Sequence, residues 1–281
     1  MIIGRWSIAT TAIVLGLAGV VFAQQIWVGG SGGRNARPKW ATPDDFDGSF
    51  VYCRAYYTNG NAGFRGGGGG SWSTDYPGAD NNFSVRLAEL TRVRVRFDEN
   101  RQPNYAVVRL DDPMLFRCPF LFLEAPGALR FEDEEIEPLR KYFLKGGFLW
   151  VDDFWGSYAW ENWASEIGRV LPPGEFPIVD IPITHPIVHT LYGVKSIPQV
   201  PNIGFWSSTG GETSERGADS AEVHFRGITD RKGRLMMIVT HNTDISDTWE
   251  REGNEPKAYF DLFSPTGYAI GVNVVLYVMS H

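Results

Sequence analysis

The stretch EDEEIEPLRKYFLKGGFLWVDDF, Glu132–Phe154, predicts a helix followed directly by a strand. Its first part has acidic residues in the first turn, basic residues in the last turns and apolar residues at helical spacing, which suits the helix dipole and a half-buried helix. Gly146 and Gly147 then end the helix. The apolar run that follows shows no alternation and stops at Asp152 and Asp153, which is typical of a strand buried on both faces of a parallel sheet.

The same alternation of helix and strand continues along the chain. Strands are predicted in FVYCRAYY (50–57), VRVRF (93–97), YAVVRL (105–110), PFLFLEAPG (119–127) and, as a hairpin, AEVHFRGITDRKGRLMMIVTHN (221–242). Further helices are predicted in FSVRLAELTRV (83–93), with Asp80 or Asn81 as its cap, SYAWENWASEIGRVL (157–171) and GYAIGVNVVLYVMSH (267–281). We therefore predict a single α/β domain over residues 49–281, with a flavodoxin-like layered, mostly parallel sheet and helices on both faces.

The start of the chain has the pattern of a secretory signal peptide. Arg5 supplies a short positive region, the next stretch is apolar and uncharged, and Val21 and Ala23 occupy the small-residue positions before a cleavage site. We expect cleavage after Ala23, followed by a flexible lead-in over residues 24–48 that is rich in Gly, Pro and Asn. The mature chain is then expected to be periplasmic or secreted, and an uncleaved N-terminal membrane anchor is the alternative. The apolar run at 267–281 is too short to span a membrane, so no span is expected in the mature chain.

Charge and cysteine content exclude some classes of function. The chain has a net charge of -7 and a pI near 5.3, so it lacks the basic surface that binds nucleic acid. Its two cysteines, Cys53 and Cys118, do not form a zinc motif. Export permits a disulfide between them if their strands are adjacent, and two buried thiols are the alternative.

Polar and aromatic side chains follow three of the predicted strands. Ligands of parallel α/β sheets bind beyond the carboxyl ends of the strands, so we expect these segments to form one binding rim. The candidate rim residues are Asp75, Tyr76, Asp152, Asp153, Trp155, His241, Asn242, Asp244 and Trp249.

Four of the rim residues are candidate ligands of a divalent metal, namely Asp152, Asp153, His241 and Asp244. Carboxylate and imidazole groups bind zinc or manganese, and carboxylates bind calcium. Their spacing matches no established metal signature, and strand-end turns and helix caps are the alternative roles. No other cofactor is predicted.

Four segments resemble a bacterial family of domains of unknown function, DUF 4159. They are SWSTDYPGADNNFSVRLAELT (71–91), FEDEEIEPLRKYFLKGGFLWVDDF (131–154), HNTDISDTWERE (241–252) and YAIGVNVVLYVMSH (268–281), and the resemblance covers roughly Phe50 to His281. It implies a fold similar to that of class I glutamine amidotransferases. In those enzymes the helix-then-strand unit presents a nucleophilic Cys, whereas here the turn carries Asp152, Asp153 and Phe154. The resemblance therefore implies no glutaminase activity, because thioester chemistry needs a thiolate.

Three classes of function are consistent with these patterns. The preferred hypothesis is an exported, non-glutaminase domain that binds a small molecule or an envelope partner at the rim. One alternative is a hydrolase that uses a metal or a carboxylate and His pair on a carbohydrate or cell-envelope substrate. The other is a structural subunit of an envelope complex.

Overall fold

The computed structural model describes residues 37–60 and 70–281, so the predicted signal peptide and residues 24–36 of the lead-in lie outside the described residues. The strands of the described part are β1 (Tyr52–Tyr56), β2 (Thr58–Asn59), β3 (Tyr105–Arg109), β4 (Phe120–Glu124), β5 (Leu129–Arg130), β6 (Phe148–Asp152), β7 (Val179–Asp180), β8 (His224–Thr229) and β9 (Leu235–His241). The α-helices are α1 (Gly78–Leu90), α2 (Asp133–Leu144), α3 (Gly156–Val170), α4 (Ile203–Thr209), α5 (Asp247–Glu250) and α6 (Lys257–Ser280).

A seven-stranded sheet with the order β3-β1-β4-β6-β9-β8-β7 forms the centre of the molecule. The first five strands in this order are parallel, and β8 pairs antiparallel with both of its neighbours. The predicted mostly parallel layered α/β sheet is therefore confirmed, and it is consistent with a flavodoxin-like fold. The predicted hairpin is also present, as β8 and β9.

Side-chain alternation along the strands divides the core into two layers. In β6, Leu149 and Val151 pack on one face with α2 and α3, while Phe148 and Trp150 pack on the other face with α1 and α6. Both faces are apolar because each is covered by helices, which explains the uninterrupted apolar run in the sequence.

Two local predictions are wrong. The segment VRVRF (93–97) makes isolated bridges, Phe50 to Val95 and Phe97 to Pro103, because each neighbouring segment pairs with it at a single residue. Its arginines contact acidic residues before β1. Asp80 does not cap α1 from outside, since the helix already begins at Gly78. The carboxylate of Asp80 instead pairs with the buried guanidinium of Arg54.

The last helix is longer than the sequence predicts. It begins at Lys257 and runs through Pro265, and two glycines let it pack closely against its neighbours. A Cβ atom at Gly267 would lie 1.9 Å from Thr248 Oγ1, and one at Gly271 would lie 2.5 Å from the ring of Phe83. In the described part of the chain, α6 is the one helix long and apolar enough to cross a membrane, and 56% of its most apolar window is buried. A core helix has the same composition, and the absence of a membrane span stays a prediction.

The two cysteines form a disulfide between Cys53 in β1 and Cys118 just before β4. The bridge is possible because β1 and β4 are neighbours in the sheet, with Cys53 paired to Leu121. Of the two alternatives that the sequence leaves open, the disulfide is the one present. On the other side of β1, Lys39 and Ala41 of the predicted lead-in exchange backbone hydrogen bonds with Val107 of β3.

The connections of β1 and β4 leave the sheet in opposite directions. The chain passes from β1 through α1 to β3 on one side, and from β4 through α2 to β6 on the other. The helices α1 and α2 lie on opposite faces. The change of direction therefore places the topological switch point at the carboxyl ends of β1 and β4, which is where doubly wound sheets bind their ligands.

Candidate metal centre

Seven acidic side chains meet at the carboxyl edge of the sheet, next to this switch point. They come from the segment just before α1, the ends of β4 and β6, and the loop and short helix after β9: Asp75, Glu124, Asp152, Asp153, Asp244, Asp247 and Glu250. All except the partly exposed Asp153 are at most 4% exposed. Carboxylates are rarely buried without a partner, so this much buried negative charge has to be balanced by positive charge or by protonation.

Ser246 lies at the centre of the cluster. Its hydroxyl oxygen is 2.9 Å from Asp75 Oδ2, 2.7 Å from Glu124 Oε1 and 2.9 Å from Asp244 Oδ1. A serine hydroxyl has one hydrogen to donate, so it satisfies only one of these three carboxylates. The other two contacts are favourable only if those carboxyl groups carry protons or share a cation.

Asp152 joins two strands beneath the cluster. One carboxylate oxygen accepts from the hydroxyl of Thr240 in β9, and the other accepts from the backbone N–H of Ser246 at 2.9 Å. Both oxygens therefore have protein donors. Asp152 holds the loop after β9 in place, which positions Ser246 against the other acids.

A buried arginine holds the other side of the cluster. Arg54 in β1 is fully buried, donates to Asp80 and donates to Glu124 Oε2 at 3.2 Å. The same guanidinium donates to the carbonyl oxygen of Thr74 at 2.9 Å. Arg54 thus fixes both Glu124 and the residue next to Asp75 relative to the sheet.

The short helix α5 supplies two more acids from one face, since Asp247 and Glu250 are three residues apart. Asp247 Oδ1 accepts from Arg251 Nε at 3.0 Å. Glu250 is 0% exposed, and neither of its oxygens accepts a hydrogen bond, although Oε2 lies 2.7 Å from Arg251 Nε. That nitrogen carries a single hydrogen, which points to Asp247.

The backbone at this edge adopts an unusual conformation. Four non-glycine residues at this edge have positive φ: Ala125 at 48°, Asp153 at 52° and Asn242 at 63°, each directly after a strand, and Asp75 at 59°, just before α1. Such conformations cost of order 1–3 kcal/mol each and are concentrated at functional sites. Two of these four residues, Asp75 and Asp153, belong to the acidic cluster.

Burial raises the pKa of several of these acids. It raises the pKa of Asp75 to about 7, with a further contribution from the charge of Asp247. Burial also raises the pKa of Asp152 to about 7. The pKa of Glu124 lies well above its usual range because of burial and then the charge of Asp75, and the pKa of Asp244 is raised by burial and by Asp153. A fully ionised cluster is therefore unfavourable without a bound cation.

Within residues 37–60 and 70–281, two groups of acidic side chains have the geometry to hold a metal ion. One is Asp75, Glu124 and Asp244, and the other is Asp75, Asp247 and Glu250. In each group the ligand oxygens lie within 4.8 Å of one another. Ligand distances of about 2.4 Å around Ca²⁺ put opposite oxygens about 4.8 Å apart, so the groups fit an oxygen-liganded cation.

Of the four candidate metal ligands, only Asp244 belongs to these groups. His241 points to the opposite face of the sheet, where its ring lies 4.8 Å from that of Phe154 and 5.2 Å from that of Trp160. Its Nε2 lies 3.1 Å from the carbonyl oxygen of Gly156, so Nε2 carries the hydrogen, and Nδ1 is buried without a partner. Burial lowers the pKa of His241 to about 4.

The remaining rim residues have structural contacts. Asn242 Oδ1 accepts from the N–H of Gly156 at the start of α3. Trp155 is 4% exposed and donates to Asp153, and Tyr76 is 4% exposed. Trp249 is fully buried against Phe83, Phe122 and Trp150, so it packs in the core and offers no surface for a ligand.

Sequence reasoning missed Glu124, Ser246, Glu250 and Arg54. Glu124 had the same signal as Asp152, because it ends an apolar strand. Arg54 also had a signal, as a lone charge inside an apolar strand. Ser246 and Glu250 carry no signal in the sequence, because their position depends on the loop after β9.

Two cavities lie away from the acidic cluster. One of 560 Å³ is lined by residues of β7 and β8 with Lys195 and Ile197, and the other, of 320 Å³, is lined by Phe46, Phe120 and Met279 among others. Neither is lined by a residue of the acidic cluster. The candidate chemistry is therefore assigned to the buried carboxylates and not to either of these cavities.

Fold and site together define a layered α/β domain with a buried carboxylate centre at its carboxyl edge. The chain belongs to the family described as domain of unknown function DUF4159, whose model matches residues 61–279. This confirms the resemblance found in the sequence. No curated protein matches the chain significantly.

Proposed function

We propose that the protein is an exported, non-glutaminase binding domain whose carboxylate centre holds a hard divalent cation. One observation carries this proposal. Ser246, with one hydroxyl hydrogen, lies within 2.9 Å of three buried carboxylates that come from three separate segments of the chain. A cation bound by these oxygens would stabilise the two carboxylates that the Ser246 hydroxyl cannot satisfy, so those two need not be protonated.

The charge balance supports a cation. Within residues 37–60 and 70–281, Arg54 and Arg251 are the guanidinium groups that form ion pairs with the seven acids, and Arg54 is shared with Asp80. Two positive charges leave most of the carboxylates uncompensated. Burying an unpaired carboxylate is costly, so the folded state favours any species that supplies positive charge there.

The ligand type supports a hard cation in particular. The two groups contain carboxylate oxygens and no sulfur or imidazole, and such donors suit Ca²⁺, Mg²⁺ or Mn²⁺. The acids are nearly inaccessible to solvent, which suits an ion more than an organic molecule.

The disulfide supports export and argues against a glutaminase. Disulfides persist outside the reducing cytosol, so Cys53–Cys118 suits a periplasmic or secreted protein. The same bridge occupies both cysteines of the chain, so neither offers the thiolate that glutaminase chemistry requires.

The test is equilibrium dialysis of the periplasmically produced, tag-free protein against Ca²⁺, Mg²⁺ and Mn²⁺ in turn, followed by elemental analysis. We expect at least one equivalent of one of these ions. Asp244→Asn should weaken its binding at least tenfold, whereas Glu134→Gln, at an exposed position in α2, should leave it unchanged. Less than a tenth of an equivalent of every ion in the wild-type protein would overturn the proposal.

A further inference from the structure

The second group of acids, Asp75, Asp247 and Glu250, lies beside the first and shares Asp75 with it. Its ligand oxygens also lie within 4.8 Å of one another, and all three side chains are at most 2% exposed. The geometry of a cation site is thus present twice, with one residue in common.

Glu250 gives an observation independent of the clustering. Its carboxylate is 0% exposed, faces Asp75 and Asp247, and accepts no hydrogen bond in the described part of the chain. Arg251 lies close to it but directs its Nε hydrogen to Asp247. A buried acid without a donor is rare in folded proteins and requires an explanation such as an ion.

Asp75 is placed to serve both groups. Its backbone is left-handed, with φ 59°, and its carboxylate lies near Glu124 and near the acids of α5. A carboxylate has two oxygens with about four lone-pair directions, so it can bind two cations at once. Asp75 Oδ2 contacts Ser246 on the side of the first group.

We infer that the centre holds two divalent cations, with Asp75 as the carboxylate that bridges them. The first cation lies among Asp75, Glu124 and Asp244, and the second lies among Asp75, Asp247 and Glu250. This inference rests on the proposed function and extends it. The first ion accounts for the carboxylates around Ser246, and the inference adds a second ion among Asp75, Asp247 and Glu250.

The two cations would then depend on different side chains. Loss of Glu250 removes a ligand of the second ion only. Loss of Asp75 removes a ligand of both ions. Glu124 and Asp244 serve the first ion, which Glu250 does not touch.

The experiment is a titration of the metal-free, full-length protein with the tightest-binding ion of the series, read by isothermal titration calorimetry and by elemental analysis after dialysis. We expect two equivalents in the wild-type protein, one in Glu250→Gln and less than a fifth of one in Asp75→Asn. The control Glu134→Gln should retain two.

The outcomes separate the inference from the proposed function. One equivalent in the wild-type protein, unchanged in Glu250→Gln, overturns the second site and leaves the proposed function standing. No binding in the wild-type protein overturns both. Near-ultraviolet circular dichroism of each variant shows whether it is folded, and the wild-type stoichiometry decides the question even if a variant is not.

Discussion

Removing the disulfide should cost a large share of the stability of this protein. The bridge joins Cys53 and Cys118, which are 65 residues apart. In the chain-entropy account a cross-link that closes a loop of this length stabilises the fold by about 4 kcal/mol, because it restricts the unfolded chain. Both cysteines are at most 1% exposed, so their loss also removes buried contacts.

The perturbation is the double variant Cys53→Ala, Cys118→Ala, compared with the oxidised wild-type protein by equilibrium urea unfolding. We expect the free energy of unfolding to fall by about 4 kcal/mol, which is a large part of the 5–15 kcal/mol typical of a domain. The slope of the transition should rise, because an unfolded chain without the cross-link exposes more surface.

Two results would refute this reasoning. The first is a loss of less than 1 kcal/mol with an unchanged slope, which would show that the bridge does not restrict the unfolded chain. The second is the titration of two free thiols per molecule in the oxidised, folded protein. The single variant Cys118→Ala is the matched control, since it breaks the same bridge and should cost nearly as much as the double variant.

Two further predictions concern buried charge. Because the pKa of His241 is lowered to about 4 in the fold, the neutral ring stabilises the protein above pH 6.5, and about 3 kcal/mol of this contribution is lost as the pH falls from 6.5 to 4. His241→Gln should remove that loss, measured as the difference in urea stability between the two proteins across this pH range. Arg54→Met should cost about 3–5 kcal/mol, because it leaves Asp80 and Glu124 buried without their cation, whereas Arg231→Met at the surface should cost at most about 1 kcal/mol.

The results that would contradict these two predictions are specific. A difference between His241→Gln and the wild-type protein that stays constant from pH 6.5 to pH 4 would mean that the buried imidazole does not resist protonation. A stability change in Arg54→Met no larger than that in Arg231→Met would mean that the buried guanidinium does not hold the acids in place.

Local sequence patterns predict much of the fold. The acidic start, basic end and glycine stop of α2 and the apolar run of β6 are short-range patterns, and the structure reproduces both elements. The segment VRVRF also has a local strand pattern but forms isolated bridges, because a strand needs a neighbouring strand to pair with along its length. The helix predicted over 267–281 begins too late, because α6 starts at Lys257 and continues through Pro265, and its packing against α5 is a long-range contact.

Some residues of the candidate site were also predicted correctly from the sequence, and others were not. The rule that ligands bind at the carboxyl ends of parallel strands selected Asp75, Asp152 and Asp244, which do meet. It also selected His241, which turns away because side chains alternate along a strand. Thr240 takes the face of Asp152, and its neighbour in β9 takes the other.

The sequence by itself therefore determined the layered parallel sheet, and it indicated the edge at which the acids collect. Only the tertiary structure decided which acids are buried together, because Glu124, Ser246 and Glu250 reach one another across separate segments of the chain. It also decided the disulfide, since pairing of Cys53 and Cys118 depends on β1 and β4 being neighbours. Burial and proximity arise from long-range packing, and a linear pattern does not record either of them.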